Sequence, residues 1–153
     1  MRYSETKGKR VFVIRLEDGE IIQDSIEQFA VAKNIRYATL QLLGGIDKGS
    51  VLIVGPRESR VSLIEPLKIT INEMHEAVGN GTIFPDEQGI PRLHCHLACG
   101  RENQTVCGEI REGVKVWHVM EVIITELADC DAVRKYDKTI GFKLLYPGKR
   151  FGN

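Results

Sequence analysis

The residues best equipped for chemistry lie in one short run, RLHCHLACGR (92–101), where His94 and His96 stand two apart. Leu93, Cys95 and Leu97 alternate with His94, His96 and Ala98, the period of a β-strand, so both imidazoles project from one face. Their Cα atoms are then about 7 Å apart, at roughly 3.3 Å per residue, and both rings can reach one ion. His118 is the expected third ligand. A simple hairpin about Glu112-Gly113 would pair 105–111 with 114–121 and turn Cys107, Glu109 and His118 to one side. His94, His96 and His118 with Glu109 nearby supply three nitrogens plus a carboxylate or water, the composition of an open zinc site, although another divalent transition metal would also suit it. His75 and Glu109 itself are alternative third ligands. If such a site is enzymatic, the open metal position activates water or polarises a carbonyl and Glu109 is the general base. Arg92 and Arg101 are then the candidates for binding an anionic substrate.

The elements that must position these residues are mostly strands. KRVFVIRL (9–16) reads as a strand, EDGE (17–20) as a turn, and the spacing of Ile22, Ile26, Phe29, Ala30 and Lys33 predicts an amphipathic helix over 20–33, stopped by Asn34. An apolar strand follows, broken at Gly44-Gly45, then a turn at Asp47 to Gly49 and a strand at 50–54. One or two strands fall between Ser59 and Phe84, with Gly79 and Gly81 placed to let another backbone come close. FPDEQGIP (84–91) is a loop by its prolines, Asp and Gly. The histidine strand, the segment QTVCGEIR (104–111) and the long strand VKVWHVMEVIITEL (114–127) complete an α+β domain with a mainly antiparallel sheet. Residues from Asp129 onward carry only a weak helical or irregular pattern.

Composition bounds the function. The 153 residues suit one domain, 42% hydrophobic and 27% charged, as in a soluble globular protein. With no apolar run near eighteen residues and a polar, basic stretch after Met1, neither a membrane partner nor a signal peptide is expected, and the expected compartment is the cytoplasm. Lys plus Arg and Asp plus Glu each number 21, so there is no basic excess of the kind that holds a protein on nucleic acid. Basic residues do gather at the two ends, Lys7, Lys9 and Arg10 at one and Lys143, Lys149 and Arg150 at the other. The four cysteines, Cys95, Cys99, Cys107 and Cys130, contain no CxxC pair and read as free thiols, with Cys95 pointing into the core.

The order RLEDGEIIQDSIEQFAVAKNIRYATLQLLGGIDKGSVLIV, then HEAVGNGTIFPDEQGIPRLHCHLACGR, then CGEIREGVKVWHVMEVIITEL resembles the PPC domain, the plants-and-prokaryotes conserved domain. The resemblance covers 10–127, which leaves 1–9 as a basic N-terminal extension and 128–153 as a C-terminal extension packed on the same domain. It implies an α+β domain assembling as a homotrimer, with zinc held by histidines and a predicted association with DNA. The usual prokaryotic pattern after the histidine pair is Gly-Gly-His-Leu, whose histidine falls at Glu109 and whose first glycine falls at Cys107. This chain departs from its relatives at that ligand, and His118 is the substitute implied by the hairpin register. The alternative function is a metal-dependent enzyme or small-molecule-binding protein with an open site at or near a subunit interface.

Overall fold

Alternation of apolar and polar side chains governs most of the chain, and a computed structural model, describing residues 2–58 and 64–150, shows what that alternation builds. In chain order the elements are β1 (Arg2–Tyr3), β2 (Lys7–Glu17), α1 (Ile22–Ala32), β3 (Ala38–Ile46), β4 (Val51–Pro56), β5 (Pro66–Thr70), β6 (His75–Pro85), β7 (Pro91–Arg101), β8 (Gln104–Glu112), β9 (Val116–Ala128), β10 (Val133–Asp137), β11 (Phe142–Tyr146) and β12 (Lys149–Arg150). Eight strands form one antiparallel sheet in the order β2-β9-β3-β6-β7-β8-β4-β5. Two small antiparallel pairs, β1-β12 and β10-β11, stand apart from it. The architecture is the expected α+β domain with a mainly antiparallel sheet and one helix. Among the described residues no helix is long and apolar enough to cross a membrane.

The helix buries Ile22, Ile26 and Ala30, four residues apart and therefore on one stripe, against the inner face of the sheet. Phe29 beside that stripe meets Phe12 of β2 edge to face at 5.3 Å. Asn34 ends the helix at φ 53°, a left-handed value that Asn tolerates better than most residues. From the sheet, Leu40 and Leu42, Val122 and Ile124, and Cys95 and Leu97 face the same core, each pair two residues apart. Gly79 sits opposite Leu97, where a Cβ would come within 2.5 Å of Leu97 Cδ2 and 2.7 Å of the His96 carbonyl oxygen. Its bare backbone is what admits the leucine.

Pairing departs from the sequence reading in two places. β8 does not form a hairpin with β9: it pairs with β7 and β4, while β9 pairs with β2 and β3. The three-residue link is held elsewhere. Val114 O accepts from Ile22 N, Lys115 O accepts from Asp47 N, and Val116 N donates to Glu20 O, which draws the chain past the start of the helix to the other side of the sheet. Gly44-Gly45 does not break β3 either. The strand runs through, and the irregularity appears as a register shift against β9 between Gly44 and Gly45. The segment after Asp129, without a firm pattern in the sequence, folds as the β10-β11 hairpin, whose residues Phe142 to Leu145 line a cavity over the outer face of the sheet.

Candidate metal centre

β7 presents its residues as the alternation requires. Leu93, Cys95, Leu97 and Cys99 are buried on the inner face, while His94 and His96 emerge on the outer face. The two rings lie 5.2 Å apart between centroids. Zinc bound tetrahedrally by two imidazole nitrogens at ~2.0–2.1 Å places the ring centroids about 5 Å apart, so the pair is spaced for a shared ion.

The neighbouring strand contributes the third group. Glu109 of β8 is the Cα partner of His96, and its carboxylate Oε1 lies 3.2 Å from His94 Nδ1 and 3.0 Å from Arg111 Nε. Burial pushes the Glu109 carboxyl up, but the hydrogen bonds and charges of His94 and Arg111 outweigh it and hold the group below its ordinary value. A carboxylate on Nδ1 leaves Nε2 of His94 as the free donor, the arrangement by which an outer group fixes the tautomer of a metal-binding imidazole. Among the described residues no set of three His, Cys, Asp or Glu side chains is grouped as metal ligands. The donor chemistry therefore fits a two-histidine site with Glu109 behind it.

His118 is not brought to this pair. Following the register from His94 to Thr82, Thr39 and Thr125 takes three strand-to-strand steps, and His118 lies seven residues further along β9, about 25–30 Å away at ~4.8 Å per strand and ~3.3 Å per residue. It occupies the bulge of β9 at φ 58°, with its N–H donating to Asp18 at 2.6 Å and its ring 4.2 Å from Trp117. The expected hairpin would have carried it to Glu109, and that hairpin does not form. His75, opposite Ile46, is five residues down β6 from Asn80, the partner of His96, and its Nδ1 meets Glu73 O at 2.9 Å. Arg92 is committed to Asp86 and Glu27, and Arg101 donates to the Met74 carbonyl.

Two cations at the site were missed by sequence reasoning. Arg111 shares the face of Glu109, two residues on, and strand parity would have found it. Arg134 comes from β10, donates Nη2 to Thr82 Oγ1 at 2.9 Å, and has no signal in the sequence. Together with His94, His96, Glu109 and the β11 residue Leu144, these arginines line a cavity of about 570 Å³ between the sheet and the C-terminal hairpin.

A profile of the Plants and Prokaryotes Conserved (PCC) domain matches residues 3–128. The chain belongs to this family. Its fold is shared by solved structures: a metal-containing protein from Archaeoglobus fulgidus (22% identity, TM-score 0.82, covering 94% of this chain and 98% of that one) and a plant- and prokaryote-conserved (PPC) protein from Pyrococcus horikoshii (20%, 0.82, 99% and 100%). A candidate DNA-binding protein from Bacteroides thetaiotaomicron shares it too (15%, TM-score 0.75, 94% and 99%). At these identities the likeness concerns the fold. No curated protein matches this PCC chain.

Proposed function

We propose that this PCC protein binds a divalent metal, zinc by its donor chemistry, through His94 and His96, in a pocket that receives a small molecule. The observation that carries the reading is the imidazole pair, 5.2 Å apart on one strand face, with Glu109 hydrogen-bonded to Nδ1 of His94. When bound, zinc supplies a Lewis acid in a cavity lined by both charged and apolar side chains. Glu109 orients His94 and balances Arg111. To serve as a general base it would have to leave both. The metal-containing relative from Archaeoglobus fulgidus supports the metal half of this reading.

Assembly as a homotrimer belongs to the same proposal. Val13, Ile123, Leu43 and Val78 are exposed on four consecutive strands of the outer face, a contiguous apolar row that favours burial against other copies. Val78 and Asn80 share that face with the partner residues of the histidine strand, so an interface over the row would border the pocket.

The metal assignment is tested by elemental analysis of the purified protein and of His96→Ala and His118→Ala. Zinc near one ion per chain in the wild type, lost in His96→Ala and kept in His118→Ala, is the expected result. Equal zinc in wild type and His96→Ala sinks it.

Association with DNA is a second reading, supported by the candidate DNA-binding protein of Bacteroides and by the pairing of β1 with β12, whose register sets Arg2 opposite Arg150 and Tyr3 opposite Lys149. Other basic residues are already engaged with carboxylates: Lys9 and Arg10 share Glu126, Lys143 meets Asp86 and Lys115 meets Asp47. A shift assay with a steep loss of affinity between low and physiological salt would favour this reading.

A further inference from the structure

The cations around the pocket are not equivalent. Arg111 is paired with Glu109 at 3.0 Å and Lys143 with Asp86 at 3.2 Å. Arg134 is only 8% exposed and, among the described residues, donates to Thr82 alone, its Nε having no hydrogen-bond partner. A guanidinium held out of water without a carboxylate is costly, and a fold retains one where an incoming group completes it. The charge to be completed is single. Among the described residues Glu109 is the one acidic side chain lining the cavity and is matched by Arg111, which leaves the charge of Arg134 over. A carboxylate matches the planar fork of arginine and, while the histidines hold no ion, its single charge, which a phosphate dianion would overshoot beside Glu109. Ile53, Pro56 and Leu144 line the rest of a cavity of about 570 Å³, within the ~300–1,000 Å³ usual for small-molecule sites.

We propose that the pocket binds a small organic monocarboxylate, with its carboxylate on Arg134 and an aliphatic body against Ile53, Pro56 and Leu144. This deepens the reading of the cavity as a small-molecule site and is independent of the metal. The fold supplies the parts from different places: the sheet face gives Ile53 and Thr82, and the C-terminal hairpin gives Arg134 and Leu144. Closing the hairpin over the sheet thus builds the anion site.

The test is calorimetric titration of the full chain, purified with and without chelator treatment, against branched aliphatic acids of about four to eight carbons, the matching amides, and inorganic phosphate. 4-Methylpentanoate and 4-methylpentanamide are the central pair, being alike in shape and different in charge. The expected result is at least about tenfold tighter binding of the acid than of the amide, with or without chelator. Arg134→Met is expected to lose about 10- to 100-fold in acid affinity while melting no lower than the wild type, because an unpaired buried charge is replaced by an apolar chain. Equal binding of acid and amide across the series, no binding of any acid, or a preference for phosphate overturns the proposal, as does unchanged acid affinity in Arg134→Met. If Arg134→Met fails to fold, the acid and amide comparison on wild-type protein decides alone. Acid binding that survives chelation while zinc analysis is negative would remove the metal reading and leave this one standing.

Discussion

Asp86 offers the sharpest test of how the pocket is held together. Its side chain is 1% exposed and sits where three parts of the chain meet. Oδ1 accepts from the N–H groups of Gln88 and Ile90, both at 3.0 Å, which shapes the loop into β7; Oδ2 accepts from Arg92 Nε at 3.1 Å and from Lys143 Nζ at 3.2 Å, which ties β11 down. Asp86→Ala removes all four contacts. Four charge-assisted hydrogen bonds at ~1.5–3 kcal/mol each would sum to about 6–12 kcal/mol, but Arg92 and Lys143 are 43% and 39% exposed and regain water when released. The expected loss is therefore about 2–4 kcal/mol, or roughly 4–16 °C in Tm at ~2–4 °C per kcal/mol for a chain of this size. Acidity adds a second signature. Burial pushes the Asp86 carboxyl up, but hydrogen bonds from Ile90 N–H, Arg92, Lys143 and Gln88 N–H more than offset it, so the folded pKa lies below the ordinary value. A carboxyl depressed on folding contributes stability above its unfolded pKa, about 3.9, and loses it as pH falls through the folded pKa. Asp86→Asn should thus cost stability at pH 7, and the gap to wild type should shrink steadily below about pH 4 in calorimetric melts. A Tm change under about 2 °C for Asp86→Ala at pH 7, or a wild-type to Asn gap that stays constant into acid, would refute the reasoning.

Two further outcomes are expected. Cys95 is fully buried and its thiol is pushed up to about 12, chiefly by burial and also by the charge of Glu109, and Cys99 is buried on the same strand face; Cys107 is exposed. A thiol reagent at pH 8 should therefore label Cys107 in the native protein, with Cys95 and Cys99 reacting only after denaturation; mass spectrometry showing native labelling of Cys95 contradicts the strand parity. Leu43→Glu places a charge in the exposed apolar row without touching the core, so it should reduce the sedimentation mass toward that of one chain while leaving the melting of the separated chain intact, and an unchanged assembly would remove that row from the interface.

What the sequence made legible is what depends on neighbours in the chain. The face shared by His94 and His96, the inward turn of Cys95, and the helix read at 20–33 and found at Ile22–Ala32 all follow from a local period of two or of about four residues. Strand pairing is not local in that sense. Glu112-Gly113 looked like a hairpin because the flanking runs were strand-like and close, but the link residues find their hydrogen bonds at Ile22, Asp47 and Glu20, more than sixty residues earlier. His118 was expected at the site only because that register was assumed. In the same way, the five-residue strands of the C-terminal hairpin show little alternation of their own, and Arg134 gains meaning only from Thr82 and Phe84, some fifty residues away.

Charge compensation links the departure from the family pattern to the rest of the pocket. The position where the resemblance implies a histidine holds Glu109 here, half enclosed by the strands and the hairpin, so an anion stands where that pattern would set a neutral donor. An isolated carboxylate there would be strongly disfavoured. It is matched on its own strand by Arg111, whose position two residues on guarantees the same face, and the pair together is neutral. Arg134 then remains as an additional charge, brought by a segment beyond the family match at 3–128 and lacking a carboxylate ion-pair partner among the described residues. Holding an ion on two imidazoles would give no use for that cation, which is buried against the same cavity. The surplus fits a site that also receives an anion, and it locates the part of this chain that sets its ligand in the C-terminal hairpin rather than in the histidine strand.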